Sequence, residues 1–180
     1  MFALPSTRRI LGEGRSMEAV LHSFGYSLQF LRDQVADVRE EAMTAMPEGV
    51  ANHPAWTIGH LVFTCQMLGG VIGIKPWLPK SWPKRYGSGS VPTDDPELYE
   101  PKEILLKILD DAQARMTAAI KKLDDASLDA AFPEPSYLEV FPTVRHSLTQ
   151  VLVGHASFHV GQVSVWRRAM GLSGIGRSFE

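Results

Sequence analysis

Apolar residues recur every three or four positions along most of this chain, a spacing that places them on one side of an α-helix. Ser16 is a candidate N-cap for the first stretch, and Gly171 is a residue type typical of the position after a helix. We therefore predict an all-α protein, a four-helix bundle with long connections after the second and third helices. The stretches cover residues 16–44, a segment opening at Asn52-His53-Pro54, residues 101–123 and residues 143–170.

The connection over residues 74–101 is rich in proline and contains Trp77, Trp82 and Tyr86. A connection this long in a compact domain is usually functional, and exposed tryptophan is costly. We expect its first part to fold back over the domain. No convincing strand is predicted; Tyr137 to Phe141, in the second connection over residues 124–142, is the best short candidate.

Residues 1–15 have no helical pattern and are predicted to form an N-terminal arm, followed by one domain over residues 16–180. The arm carries Arg8 and Arg9 without a following apolar region, so it does not resemble a secretory signal. No apolar run reaches the roughly 18 residues that span a bilayer. A cytoplasmic protein is the expectation, with Met17 as a second candidate start. An arm that needs a surface to cover also favours a homodimer.

Charge and cysteine content exclude several classes of function. Eighteen basic and twenty acidic residues give a net charge of −2, which argues against a general binder of nucleic acid or anionic membranes. Lys80, Lys84 and Arg85 do alternate with aromatic residues, but three cations in one loop are more often solvated charge. The single cysteine, Cys65, excludes an internal disulfide and a cysteine-based zinc cluster.

Three of the six histidines form a candidate metal site. His155 and His159 are four residues apart on the fourth predicted helix, so both rings project from the same face. His60 lies among apolar residues on the second helix. Three histidines with an open fourth position form a zinc-type catalytic arrangement. The alternative for the pair is two hydrogen-bonded or solvated histidines.

The other histidines fit this site less well. His53 is two helical turns from His60, about 10 Å, and is interpreted as a cap or part of a second site. His146 is turned to the opposite face from His155. His22 is the reserve candidate for a fourth ligand, with a surface position preferred.

The sequence differs from two better-known histidine motifs. Ala156 occupies the place of the general-base glutamate in H-E-x-x-H, and no glutamate has a histidine three residues later, as di-iron bundles require. A tri-histidine site without a carboxylate base favours substrate activation through the metal, since the ion lowers the pKa of a bound thiol or water. Imidazole ligands suit several divalent transition metals, of which we favour Zn and Ni.

Two segments resemble the DinB/YfiT-like superfamily of metal-binding four-helix bundles. They are residues 53–61, His-Pro-Ala-Trp-Thr-Ile-Gly-His-Leu, and residues 155–162, His-Ala-Ser-Phe-His-Val-Gly-Gln. The resemblance implies metal ligands at His60, His155 and His159. The family includes bacillithiol and mycothiol S-transferases and a mycothiol-dependent maleylpyruvate isomerase. The long connection and the N-terminal arm depart from its pattern, so the family's substrates do not carry over.

Together these features predict a metal-dependent enzyme, a thiol-dependent S-transferase or isomerase, in which a thiol attacks a small electrophile held under residues 77–86. Gln162 is the candidate catalytic residue, forming a hydrogen bond either to a metal-ligating side chain or to the substrate; the alternative is a hydrogen bond to a neighbouring helix. Cys65 is turned away from His60, so the thiol must come from a low-molecular-weight cofactor. Gly59 and Gly161 are interpreted as sites of close helix packing, and Trp56 and Trp166 as core residues. The competing hypothesis is a non-catalytic dimeric bundle that binds metal or a small ligand.

Overall fold

The computed structural model describes residues 17–175, and over these residues the chain is helical, as predicted. The predicted N-terminal arm and the Ser16 cap lie outside the described residues. A π-helical segment, Gln150–His155, joins the last two helices into one continuous rod. The helices are α1 (Glu18–Ala36), α2 (Pro54–Val71), α3 (Trp82–Tyr86), α4 (Lys102–Ile120), α5 (Asp125–Asp129), α6 (Val144–Thr149) and α7 (Ala156–Ala169).

Four long helical rods surround one apolar core. The first rod, α1, packs on α7, while α2 packs on both α4 and α7. The core is built from the residues that the three-and-four spacing selects, such as Leu28, Leu109 and Val163, which are fully buried. No helix within residues 17–175 is long and apolar enough to cross a membrane.

The first helix ends at Ala36, eight residues before the predicted end. The ammonium group of Lys102 donates hydrogen bonds to the carbonyls of Ala36 and Val38, at 3.1 and 2.7 Å. In return the Glu40 carboxylate accepts from the backbone N–H of Lys102 at 3.0 Å. The end of α1 and the start of α4 therefore cap each other.

The start of α2 agrees with the sequence prediction. His53 is the N-cap, and its Nδ1 accepts a hydrogen bond from the backbone N–H of Trp56 at 3.2 Å. Pro54 follows at the first helical position, where its missing N–H costs nothing. This cap fixes where the turns of α2 fall and hence the direction of His60.

The connection after α2 folds back over the domain, as expected from its tryptophans. It contains α3, whose Trp82 and Tyr86 are 1% and 0% exposed. Because both aromatic side chains are buried, they are not available to interleave with the lysines of this loop on a nucleic-acid surface.

As predicted, the described residues form no strand, and Tyr137 to Phe141, the best short candidate, forms turns instead. Pro135–Tyr137 forms a 3-10 turn, and Tyr137 and Phe141 stack their rings with centroids 6.1 Å apart. Within the described part of the chain the bridging is limited to an isolated pair, Ala131 with Thr143. A segment with no neighbouring strand to pair with satisfies its backbone groups in local turns instead.

Candidate metal centre

Three histidine rings from two helical rods converge at one point. The Nε2 atom of His155 lies 3.1 Å from Nε2 of His60 and 3.1 Å from Nε2 of His159. One ligand atom from each ring lies within 4.8 Å of the others. His60 and His159 are buried, and His155 is half-buried. The structure thus brings together the three histidines that the sequence singled out.

The π-helical segment Gln150–His155 ends at His155, a histidine of this site, and was not predicted. A π-helical turn includes one residue more than an α-helical turn, so it changes the direction of the side chains that follow. A Cβ on Gly154 would lie 2.9 Å from Nε2 of Gln150, the end of a flexible and exposed side chain that can move aside. The regular three-and-four spacing of the apolar residues gives no signal for this extra residue, so the sequence did not indicate it.

His60 is fixed by a backbone carbonyl from α3. Its Nδ1 lies 2.7 Å from the carbonyl oxygen of Tyr86, which can only accept. Nδ1 therefore carries the proton, and Nε2 presents a lone pair to the centre of the site.

His159 is fixed in the same way by a side chain. Its Nδ1 lies 2.8 Å from Oε1 of Gln162, and the same oxygen accepts from Nδ2 of Asn52 at 2.8 Å. Because this oxygen acts as an acceptor, Nδ1 of His159 carries the proton and Nε2 is unprotonated. Gln162, the candidate catalytic residue, thus bonds a histidine of the site and the segment before α2.

Two lone pairs, on His60 and His159, point at Nε2 of His155. A neutral His155 can donate a proton to only one of them, and its Nδ1 is buried with no hydrogen-bond partner in the described residues. Protonation of the group is unfavourable, because burial and then the neighbouring rings lower the pKa of His155 and His159 to about 4. Burial also lowers the pKa of His60.

The donor set fits a divalent metal ion. A tetrahedral ion with Zn–N bonds near 2.1 Å holds its nitrogens about 3.4 Å apart, close to the spacing here. A cation between the rings would accept all three lone pairs at once. The described residues that could hold a metal as a group are these three histidines, without a carboxylate.

Trp56 forms one wall of the site. Its indole stacks on the His60 ring, with centroids 4.5 Å apart and an interplanar angle of 9°. The indole Nε1 donates to the carbonyl of Arg85 at 3.1 Å and to Oγ of Ser90 at 2.9 Å. Trp166 is a core residue as predicted, fully buried and donating to the carbonyl of Ala45.

The remaining candidates lie elsewhere. His22 is exposed and lines a cavity of about 770 Å³ beside α1, so it is not placed as a fourth ligand. His146 is exposed and bonds Thr143. Cys65 is buried, and burial raises the pKa of its thiol to about 12.

The two glycines next to the candidate ligands differ. A Cβ on Gly59 would lie 2.1 Å from the Tyr86 ring, so close packing explains this glycine. A Cβ on Gly161 would have no atom within 4 Å, and the packing expected there is wrong. Gly161 is on the exposed side of α7, whereas Gly59 faces the folded connection.

A family model described as the DinB superfamily matches residues 27–163, which include all three histidines. A conserved protein from Enterococcus faecalis has a similar structure, with a TM-score of 0.72, 14% identity, and coverage of 86% of this chain and 97% of that one. YfiT from Bacillus subtilis, described as "a probable metal-dependent hydrolase with an unusual four-helix bundle topology", is also similar in structure. Its TM-score is 0.62 at 17% identity, and the match covers 93% of this chain and 94% of that one. The comparison with curated proteins found no significant match.

Proposed function

The chain belongs to the DinB superfamily, and on this premise we propose that it is a metal-dependent enzyme whose ion is bound by His60, His155 and His159. The observation that carries the proposal is the convergence of three Nε2 atoms. Two of them carry no proton, because the Nδ1–H of the same ring donates to the Tyr86 carbonyl in His60 and to Gln162 in His159. Zn and Ni remain the favoured ions, since neutral imidazoles are common ligands for both.

The proposed reaction is the attack of a low-molecular-weight thiol on a small electrophile. A C–S bond would form as the bond from that carbon to its leaving group breaks, the leaving group would depart with the electron pair, and the thiol proton would pass to solvent. A divalent ion in this site would lower the pKa of a thiol bound to it. The chain's own Cys65 is buried with a raised pKa, which supports an external source of sulfur. The absence of a carboxylate from the histidine group in the described residues supports a nucleophile that needs no protein base.

The roles of the surrounding residues follow from their contacts. Tyr86 holds the imidazole of His60, and Gln162 that of His159, in the tautomer protonated at Nδ1. Trp56 restricts the ring plane of His60. The Gln162 oxygen is already occupied, so only its amide N–H groups remain to orient a substrate. Trp82 and Tyr86 are packed into the core, and therefore the electrophile does not contact them directly.

Hydrolysis is the second candidate, favoured by the structural similarity to YfiT. A water molecule would replace the thiol as the nucleophile. The same histidine group would serve, but a hydrolytic water usually relies on a neighbouring carboxylate as base. The non-catalytic bundle, binding metal or a small ligand, is the third possibility, and the assay below distinguishes the three.

A homodimer remains part of the proposal. Phe158, next to His159, is 64% exposed, and Val140 is 63% exposed, so apolar side chains are available for a self-association surface. Light scattering at micromolar concentration should give twice the chain mass of 19.9 kDa. A mass of one chain would contradict the dimer without affecting the metal site.

The experiment starts with elemental analysis of the purified protein. We expect one divalent ion per chain, lost in His159→Ala and retained in His146→Ala, a matched histidine on the exposed side of α6.

A panel of low-molecular-weight thiols is then assayed with a chromogenic electrophile. Thiol-dependent turnover by the wild type and by His146→Ala, but not by His159→Ala, supports the transferase. Turnover of esters or amides without thiol favours the hydrolase, and no turnover with full metal occupancy favours the binding protein.

A further inference from the structure

The part of the long connection from Trp82 to Glu100 forms specific hydrogen bonds with α2. Trp56 and His60 are one helical turn apart, and each donates a ring N–H to a carbonyl at the end of α3. The indole of Trp56 bonds the carbonyl of Arg85 at 3.1 Å, and Nδ1 of His60 bonds the carbonyl of Tyr86 at 2.7 Å. The last carbonyls of a helix have no partner within it, so these two ring donors satisfy them.

The Tyr86 side chain fills the space that Gly59 leaves on α2. A Cβ at Gly59 would lie 2.1 to 2.5 Å from three atoms of the Tyr86 ring, so only glycine admits the ring here. The ring is fully buried and packs on Trp82, with centroids 4.6 Å apart. Side chain and carbonyl of Tyr86 thus both contact the turn of α2 that carries His60.

Glu100 closes the arrangement from the other end of the connection. Its Oε2 accepts a hydrogen bond from the Tyr86 hydroxyl, and its Oε1 accepts from Nη1 of Arg85 at 2.7 Å. Burial and then Glu100 raise the pKa of the Tyr86 phenol, so the phenol stays a donor. One carboxylate therefore ties together the two residues whose carbonyls hold Trp56 and His60.

We infer that Tyr86, which is hydrogen-bonded to Glu100 and packed against Gly59, is a positioning residue that fixes the tautomer and direction of His60. The expected consequence, that Tyr86 strengthens the affinity of the histidine site for its ion, rests on the proposed metal site. The arrangement itself is a property of the chain alone. Partners at the far nitrogen of a ligating histidine typically change metal affinity by about 10- to 100-fold when they are lost.

The test compares Tyr86→Phe with Tyr99→Phe. The first variant removes the hydroxyl that donates a hydrogen bond to Glu100 and keeps the aromatic ring packed against Gly59. The second removes another phenol of the same connection, whose oxygen accepts from the backbone N–H of Thr93 at 3.0 Å instead. The first readout is long-range ¹H–¹⁵N NMR of the metal-free protein, which reports which nitrogen of His60 is protonated. The second is Zn²⁺ affinity by competition with a chelator.

We expect wild type and Tyr99→Phe to show His60 as the Nδ1–H tautomer. In Tyr86→Phe the His60 signals should move toward a mixture of tautomers, with Zn²⁺ bound about 10-fold more weakly. A lower melting temperature with unchanged His60 signals and unchanged affinity would mean that Tyr86 is only structural, and would overturn the inference. Failure of the wild type to bind Zn²⁺ would instead refute the proposed metal site, while the NMR comparison would still decide the positioning role.

Discussion

Oε1 of Gln162 lies 2.8 Å from Nδ1 of His159 and accepts a hydrogen bond from its N–H, so a glutamine one turn along α7 decides which nitrogen of that histidine presents a lone pair to the site. The same oxygen accepts from Asn52 at 2.8 Å, which links α7 to the segment before α2. Gln162 therefore does for His159 what the Tyr86 carbonyl does for His60.

Replacing Gln162 with leucine should weaken metal binding. The substitution removes the acceptor at Nδ1 of His159 while keeping a side chain of similar size, and loss of such a partner typically costs about 10- to 100-fold in affinity. Isothermal titration of metal-free protein with Zn²⁺ measures the change. Gln29→Leu, which removes an exposed glutamine bonded to Asp33 on α1, is the control and should bind as wild type does. Equal affinity in Gln162→Leu would show that His159 is oriented by packing alone.

The metal-free protein should lose stability as the pH falls from about 6.5 toward 4. The pKa values of His155 and His159 are lowered from 6.5 to about 4 by burial, so the unfolded chain binds more protons than the folded chain in this window. Proton binding to the unfolded state then favours unfolding as the pH falls. Urea unfolding at pH 7.5, 6.0 and 5.0 measures this, with His155→Ala showing a smaller decrease than wild type. His146→Ala should follow the wild type, and a profile of His155→Ala that matches both would contradict the assignment.

Cys65 should resist thiol reagents in the folded protein at pH 8. Its side chain is buried in α2, and burial raises the pKa of the thiol to about 12, so the reactive thiolate is scarce and inaccessible. A colorimetric disulfide reagent should report no reaction in buffer and one thiol per chain in denaturant. Rapid reaction of the native protein would reopen Cys65 as the source of sulfur for the proposed transfer.

The two glycines beside the candidate ligands should respond in opposite directions to alanine. Gly161→Ala places a methyl group where no atom lies within 4 Å, so the helix propensity of alanine should stabilise the protein by up to about 1 kcal/mol. Gly59→Ala gains the same propensity, but its Cβ would contact the Tyr86 ring at 2.1 Å. It should therefore lower the melting temperature. Stabilisation by both substitutions would show that the ring moves aside at little cost.

Local sequence patterns predicted the helices well where the stabilising partners are near in sequence. The cap of α2 depends on His53 and Pro54, and the shared face of His155 and His159 follows from their four-residue spacing on a helix. The end of α1 was misplaced because it depends on Lys102, which is 66 residues from Ala36 in the chain. No pattern within α1 itself carries that information.

The sequence by itself determined the helical class, the histidine pair and the inward position of His60, because each follows from the period of an α-helix and from nearby residues. Only the tertiary structure decided that Nε2 of His60 meets the pair, since this requires α2 to pack against α7. It also decided the tautomer of His60, through a carbonyl 26 residues away that reaches the ring only after the long connection folds back onto Gly59. Hydrogen bonds between residues so far apart in the chain depend on the packing of whole helices, which local spacing does not encode.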